Sequence, residues 1–444
     1  MPPGFHGLGI IPSLKTRIVK TNLGGKTMRV FRHMTCAMAL AALAWTGPAT
    51  ADAVTDWNDI ANNAVAAGRP GPIGIMDLAL VQVAVHDAVQ SYDRKFEPYF
   101  AEVKGVSGSR AAAVAAAAYG VLVGFYPTQA ATLDATYQTF LADRGLTGDP
   151  GIAVGEVVAA RILPLRRLDP NPLPEAFVGG TEPGQWRPTE SFLPGPPTTL
   201  SPMFAPWMGS FEPFALTGPA RYRAPPPPEL TSDQYTTDYN EVKAKGALTG
   251  STRTADQTDI GYFWTDNALV LWNRTIRGIV EGRVSGLGNR ARLLALANLA
   301  VADAVGTSWD SKLYYNFWRP ITAIREGEND GNPDTAGDPE WQPLINTPPY
   351  PDHTSGANDV AGAMTKTLEL YFGTDAIAFD ITSNAAAAVK KTRTFSSFTA
   401  ASNQVVNARV YLGIHFRTAD LEARKQGRAV AEYVYDHSLL PIAD

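Results

Sequence analysis

Trp309-Asp310-Ser311-Lys312-Leu313-Tyr314-Tyr315-Asn316-Phe317-Trp318-Arg319-Pro320 closes a run in which apolar residues recur at three- and four-residue spacing from Leu287 onward. That spacing predicts a long helix over Leu287–Phe317, with Pro320 ending it and setting how the chain leaves. Lys312 and Arg319 are seven residues apart. On a continuous helix both cations project from one face. Their neighbours Trp309, Tyr314, Tyr315, Phe317 and Trp318 make an apolar setting, in which a cation is costly without a counter-anion. The alternative reading is an ordinary solvated face.

The same spacing, with abundant Ala and few alternating β-branched runs, extends along most of the chain. Helices are predicted over Thr55–Ala67, Ile75–Asp93, Ser109–Phe125, Gln129–Ala142, Gly151–Arg166, Ser232–Lys245 and Ala255–Glu281 before the long one. Ser355–Phe372, Ala385–Lys391, Phe395–Leu412 and Leu421–Ser438 follow it. The expected fold class is therefore all-α. Between Asp169 and Leu230 the chain is crowded with Pro and Gly, including Pro225 to Pro228, which excludes helix. Because it also holds Trp186, Phe192, Phe204, Trp207, Phe211 and Phe214, it reads as a segment wrapped over the helices rather than a free linker. The expected organisation is an upstream and signal segment at 1–51, an N-terminal helical half with the Pro-rich segment at 52–230, and a C-terminal helical half at 231–444.

Composition bounds the function. With 444 residues, 45% of them hydrophobic and 18% charged, the chain can bury a large core. A formal charge of −5 excludes a general nucleic-acid binder, which needs a basic surface to displace counterions. Any anion site must be a local concentration of basic side chains. Arg29 and Arg32 precede the apolar run Met34 to Trp45, and Ala49-Thr50-Ala51 follows as a small-residue cleavage site. The pattern reads as a signal peptide starting near Met28, which predicts a secreted or periplasmic mature chain from about Asp52. A membrane anchor is the other reading, but the run is shorter than the roughly 20 residues a bilayer requires. The mature chain is thus expected to have no membrane span, and the single cysteine, Cys36, is lost on cleavage.

Two further elements bear chemistry. Pro348-Pro349-Tyr350-Pro351-Asp352-His353-Thr354-Ser355-Gly356-Ala357-Asn358 leads straight into a helical pattern. Ser355 is placed to cap that helix and Gly356 to let backbone approach a ligand, where N–H groups and the helix dipole favour an anion. In Ala408-Arg409-Val410-Tyr411-Leu412-Gly413-Ile414-His415-Phe416-Arg417, Gly413 is expected to end a helix and let His415 turn back beside Arg409. Arg offers a planar fork to oxyanion oxygens, and His can bond to a phosphoryl or metal centre through one ring nitrogen. His86 and Asp87 sit on an otherwise apolar helix and read as packing positions. Asn329-Asp330-Gly331-Asn332 with Asp334 lacks the calcium-loop spacing and reads as a polar turn.

The order Lys-x6-Arg-Pro, Ser-Gly at a helix start and Arg-x5-His resembles the vanadium-dependent haloperoxidase and type 2 phosphatidic acid phosphatase superfamily, and the soluble chloroperoxidase branch in particular, over most of residues 55–440. The resemblance implies two four-helix bundles and a vanadate or phosphate site. It implies that Lys312, Arg319, Ser355, Gly356 and Arg409 hold the equatorial oxygens, that His415 ligates vanadium, and that Asp266 orients the imidazole. Trp309 and Tyr350 would line a halide pocket, although as core aromatics they need no function. The partners implied are hydrogen peroxide and a halide or small organic substrate; a homo-oligomer is compatible with all of this. Where the family has an acid–base histidine after Ser-Gly, this chain has Ala357. His353, four residues earlier in the loop, is a candidate to supply an imidazole in its stead; the other reading is a surface-loop histidine. Three functions stay open: a peroxidase, a phosphatase with His415 as nucleophile, and an oxyanion-binding protein without turnover.

Overall fold

The protein is represented by a computed structural model that describes residues 52–69, 71–166, 177–190, 200 and 202–443. The signal-peptide reading, Cys36 and Phe192 fall outside the described residues. From Pro48 to Asp444 the chain forms one compact unit.

The first bundle is built from α1 (Ala53–Gly68), α2 (Pro72–Asp93), α3 (Arg110–Phe125), α4 (Ala130–Asp143) and α5 (Gly151–Ile162). Asp52 starts α1 with a capping box, its carboxylate accepting the N–H groups of Val54 and Thr55. Pro72 at the first turn of α2 supplies a preset φ where no N–H is needed. By length and composition α2 is apolar enough to span a membrane, but 89% of its apolar window is buried between neighbouring helices. It is a core helix, apolar all round because it is covered all round.

The second part comprises α6 (Asp233–Gly246), α7 (Ala255–Phe263), α8 (Ala268–Arg283), α9 (Leu287–Tyr315), α10 (Pro320–Arg325), α11 (Gly356–Phe372), α12 (Phe398–Tyr411) and α13 (Arg417–His437). The 29-residue α9 is the spine, packing on α2 in the first bundle and on α11 and α13 in the second. The wrapping segment lies along it. Asp303 of α9 accepts the consecutive N–H groups of Phe214, Ala215 and Leu216 at 2.6, 2.8 and 3.0 Å, and Trp186 and Phe211 are buried. A turn that cannot satisfy its own amides is thereby fixed to the spine.

The all-α class holds, and the structure corrects it in three places. The helix expected over Ala255–Glu281 is broken at residues 264–267, where Asn267 caps α8 through its side chain. Ala385–Lys391 is not helical but part of the loop of a two-stranded antiparallel hairpin, β1 (Phe379–Thr382) with β2 (Thr392–Phe395). The long helix stops at Tyr315, with Asn316 left-handed at φ 47°, and Pro320 begins α10 instead of ending α9. Arg319 therefore reaches its position from an extended segment and not from the helical face of Lys312.

Candidate functional site

The loop 348–355 organises the site, because side chains from two other segments converge on its backbone and His415, from a third, meets its Asp352 side chain. Lys312, in the last turn of α9, donates to the carbonyls of Pro351 at 2.8 Å, Asp352 at 3.2 Å and Thr354. All three ammonium hydrogens are engaged. Lys312 thus fixes the loop and supplies charge, and offers no free donor to an anion. Arg319 donates through Nε to the Tyr350 carbonyl at 2.7 Å and through Nη1 to the Ile414 carbonyl at 2.5 Å. Its Nη2 is buried without a hydrogen-bonding partner among the described residues.

Arg409 ends α12 and carries the same signature. Its buried Nε has no partner in the described residues, and the side chain lines a cavity. The turn after it explains why His415 stands alongside. Gly413 N–H donates to Val410 O and Ile414 N–H to Arg409 O, a Schellman closure with Gly413 at φ 76°. A Cβ there would lie 2.6 Å from Gly246 O and 2.8 Å from Pro343, so position 413 demands glycine twice over.

His415 is buried, with Nδ1 2.8 Å from Asp352 Oδ1 and Nε2 3.0 Å from Arg319 Nη1. A guanidinium only donates, and Nδ1 faces a carboxylate. The proton is assigned to Nδ1, leaving the Nε2 lone pair as the acceptor and prospective ligand. The contact to Asp352 has hydrogen-bond distance without full alignment, so both carboxylate oxygens still lack an aligned donor. Burial, followed by the charges of Arg319, Lys312 and Arg409, holds the imidazole well below its usual pKa, which keeps it neutral.

Three buried carboxyls accompany the three cations. Burial pushes Asp352 up to about 7 against the opposing pull of Arg319 and Lys312. Burial likewise raises Asp359 and Asp420 well above the carboxylate range. Burial lowers Lys312, Arg319 and Arg409 in the same way, a desolvation cost to the cations that a bound oxyanion would offset. Ser355 occupies the N-cap position of α11 but does not cap it. Its Oγ accepts from Asn358 Nδ2 at 3.2 Å, and that same amide donates to Asp420 Oδ1 at 2.8 Å. Gly356 opens the helix against Trp309, whose ring an added Cβ would approach to 3.3 Å.

Two expected roles are corrected by these contacts. Asp266 does not approach His415. It sits in the break between α7 and α8, accepting from Arg274 Nη2 at 2.9 Å and from the N–H groups of Asn267 and Asn384 at 2.8 Å each. The carboxylate beside the imidazole is Asp352, in the loop that also carries Ser355. His353 is also turned elsewhere. Its Nε2 donates to Pro225 O at 2.8 Å, its ring packs edge-on to Tyr315, and burial lowers its pKa to about 4. It pins the wrapping segment to the loop, and its proton-bearing nitrogen is spent there.

Residues 292–443 match the family model described as the VCPO second helical-bundle domain, which covers all the cradle residues named above. A vanadium chloroperoxidase from Curvularia inaequalis is 28% identical over 211 residues, 40% of this chain and 34% of that protein. The chain thus spans about a third of the length of this curated relative. Over this part of its length the chain is similar to vanadium chloroperoxidases. The fold is similar to those of solved vanadium-dependent haloperoxidases. A bacterial vanadium-dependent iodoperoxidase superposes with a TM-score of 0.71 at 22% identity, covering 88% of this chain and 98% of that one. A holo-type bacterial vanadium-dependent chloroperoxidase gives 0.69 at 17% identity, covering 87% and 97%.

Beside the cradle, Trp309 and Tyr350 lie together, ring centroids 5.1 Å apart, with Tyr350 4.8 Å from both Lys312 Nζ and Arg319 Cζ. Both rings face a cavity of about 450 Å³ that also meets Gly356, Ala357 and Arg409. Ala357 presents a methyl group at the first turn of α11, on the cavity side. Neither His86 nor the Asp330 turn joins the site. His86 is buried with Nε2 3.0 Å from Glu97 O, and Asp330 accepts from Asn332 N–H and Thr335 Oγ1.

Proposed function

We propose that this chain binds vanadate at His415 and uses hydrogen peroxide to oxidise a halide. The observation that carries the reading is the pair of buried guanidinium groups, Arg319 and Arg409, with unpartnered nitrogens beside a neutral imidazole. Leaving such donors unmatched costs about 1–3 kcal/mol apiece, so the arrangement suits a resident oxyanion. Arg319, Arg409, Ser355 and the N-terminal amide of Gly356 would hold its oxygens, with His415 Nε2 as the ligand. Bound vanadate would supply a Lewis acid that activates peroxide. Lys312 and the two arginines neutralise charge, and Asp352 keeps the imidazole in its ligating tautomer. Trp309 and Tyr350 would flank the halide.

One observation favours a second reading. Ala357 neither donates nor accepts a proton and His353 is committed to Pro225, so the cradle binds an oxyanion with slow turnover or none. Titrating the purified chain with vanadate, followed by bromide and iodide oxidation with peroxide, separates the two. Tight binding with oxidation supports the peroxidase; tight binding with neither peroxidase nor phosphatase activity supports the second reading. Failure to bind vanadate sinks both.

A further inference from the structure

Asn358, in the first turn of α11, is fully buried between Ser355 and Asp420, which are buried as well. Its Nδ2 carries two hydrogens and both are engaged, one on Ser355 Oγ at 3.2 Å and one on Asp420 Oδ1 at 2.8 Å. A Glu or Gln at this third position of a helix commonly reaches back to the backbone N–H of the capping residue. Here that N–H is already taken, since Ser355 N–H donates to Ala419 O at 3.2 Å, next to Asp420 in sequence. The shorter amide of Asn358 meets the serine hydroxyl instead.

We propose that Asn358 is a positioning residue that aims the Ser355 hydroxyl hydrogen at the bound oxyanion. This deepens the proposed function and rests on its premise that the cradle holds an oxyanion. A serine hydroxyl has one hydrogen and two lone pairs, so its character towards a ligand depends on which neighbours occupy them. With Asn358 donating to Oγ and the backbone N–H engaged, the hydroxyl hydrogen is the donor that Ser355 has left. Two acceptors compete for it, the oxyanion and Asp420. Burial raises Asp420, and the nearby Ser355 hydroxyl opposes that rise, which marks the two groups as neighbours. Asn358 biases the competition by covering Asp420 Oδ1. Asp420 Oδ2 has no partner among the described residues, so without the amide both carboxyl oxygens would be open to the hydroxyl. Ser355 would then turn its hydrogen to Asp420 and its lone pairs to the oxyanion, and a donor would become a repelling group.

The test is calorimetric titration of the full chain with inorganic vanadate, without peroxide, in a cycle of Asn358→Leu, Ser355→Ala and the double variant, each fold being checked by circular dichroism. Each single substitution is expected to weaken binding about tenfold to a hundredfold, the range for one hydrogen bond to a charged group. The double variant is expected to bind no more weakly than the worse single variant, because the two substitutions remove one interaction. A packing role alone would make the losses multiply. Multiplying losses, or unchanged affinity in folded Asn358→Leu, overturns the proposal. A second measurement needs no variant: the Asn358 side-chain amide resonances of the parent chain are expected to shift when vanadate binds, and unshifted resonances overturn the proposal too. If the parent chain binds no vanadate, the proposed function falls and this assignment with it; contrary results in a parent chain that does bind remove the role of Asn358 alone.

Discussion

Asp87 and Arg409 are both ionisable groups set inside helical bundles, and they are treated in opposite ways. The Asp87 carboxylate accepts three consecutive N–H groups, from Tyr99 at 2.6 Å, Phe100 at 2.9 Å and Ala101 at 2.7 Å. Asp303 does the same for the wrapping segment. In the cradle, donors and acceptors have no partner among the described residues: Arg409 Nε, Arg319 Nη2, Asp359 Oδ1 and Asp420 Oδ2. Where charge is structural, backbone saturates it. Where it is left open, the fold holds a vacancy in its hydrogen bonding that a ligand can complete.

The largest expected effect is a gain. Ala357→His puts an acid–base group on the cavity side of the cradle, and iodide oxidation by the vanadate-loaded enzyme is expected to rise about 10²–10⁴-fold. An unchanged rate would mean that another group handles the proton. Next comes the saturated side: Asp87→Ala leaves three backbone donors unpaired, one buried and two part-buried, and is expected to cost about 4 kcal/mol in urea unfolding. A loss under 1 kcal/mol would show that water replaces the carboxylate, and the contrast with Arg409 would fail.

On the open side, Arg409→Ala is expected to weaken vanadate binding about 100-fold while leaving stability unchanged or improved, since an unpaired buried charge is removed. Lost stability with retained affinity would mark Arg409 as structural. The smallest effect is a pH limb. Burial depresses His86 from the ordinary 6.5 to about 4. The unfolded chain takes up this proton first, so stability is lost as the pH falls from 6.5 to about 4, by roughly 3 kcal/mol in total. His86→Gln is expected to flatten that limb relative to the parent chain; parallel curves would refute the assignment.

The three basic elements and the turn at Gly413 were legible because each depends on local rules: a long apolar period, a glycine that must be left-handed, and a helix start. The carboxylates were not. Asp352, Asp359 and Asp420 carry no spacing that distinguishes them from surface acids, and only tertiary packing brings them against the cations. Asp266 shows the converse failure, a motif position whose side chain finds Arg274 eight residues along the same stretch. The alanines 385–388 favour helix by propensity. They lie instead in the hairpin loop, where the Asp259 carboxylate accepts the N–H groups of Val389 and Lys390 and Arg274 holds Thr382 O. The break at 264–267 is not legible in the sequence because apolar spacing continues across it.

The loop 348–355 gives this site a property with a practical edge. Lys312, Arg319 and His353 all bond to or from it, and His415 leans on its aspartate. Transplanting the six cradle side chains onto another helical scaffold would therefore carry over the donors without their aim. A portable version of the site would have to take the octapeptide whole, together with the lysine that laces its carbonyls and the proline-rich strap that its histidine fastens.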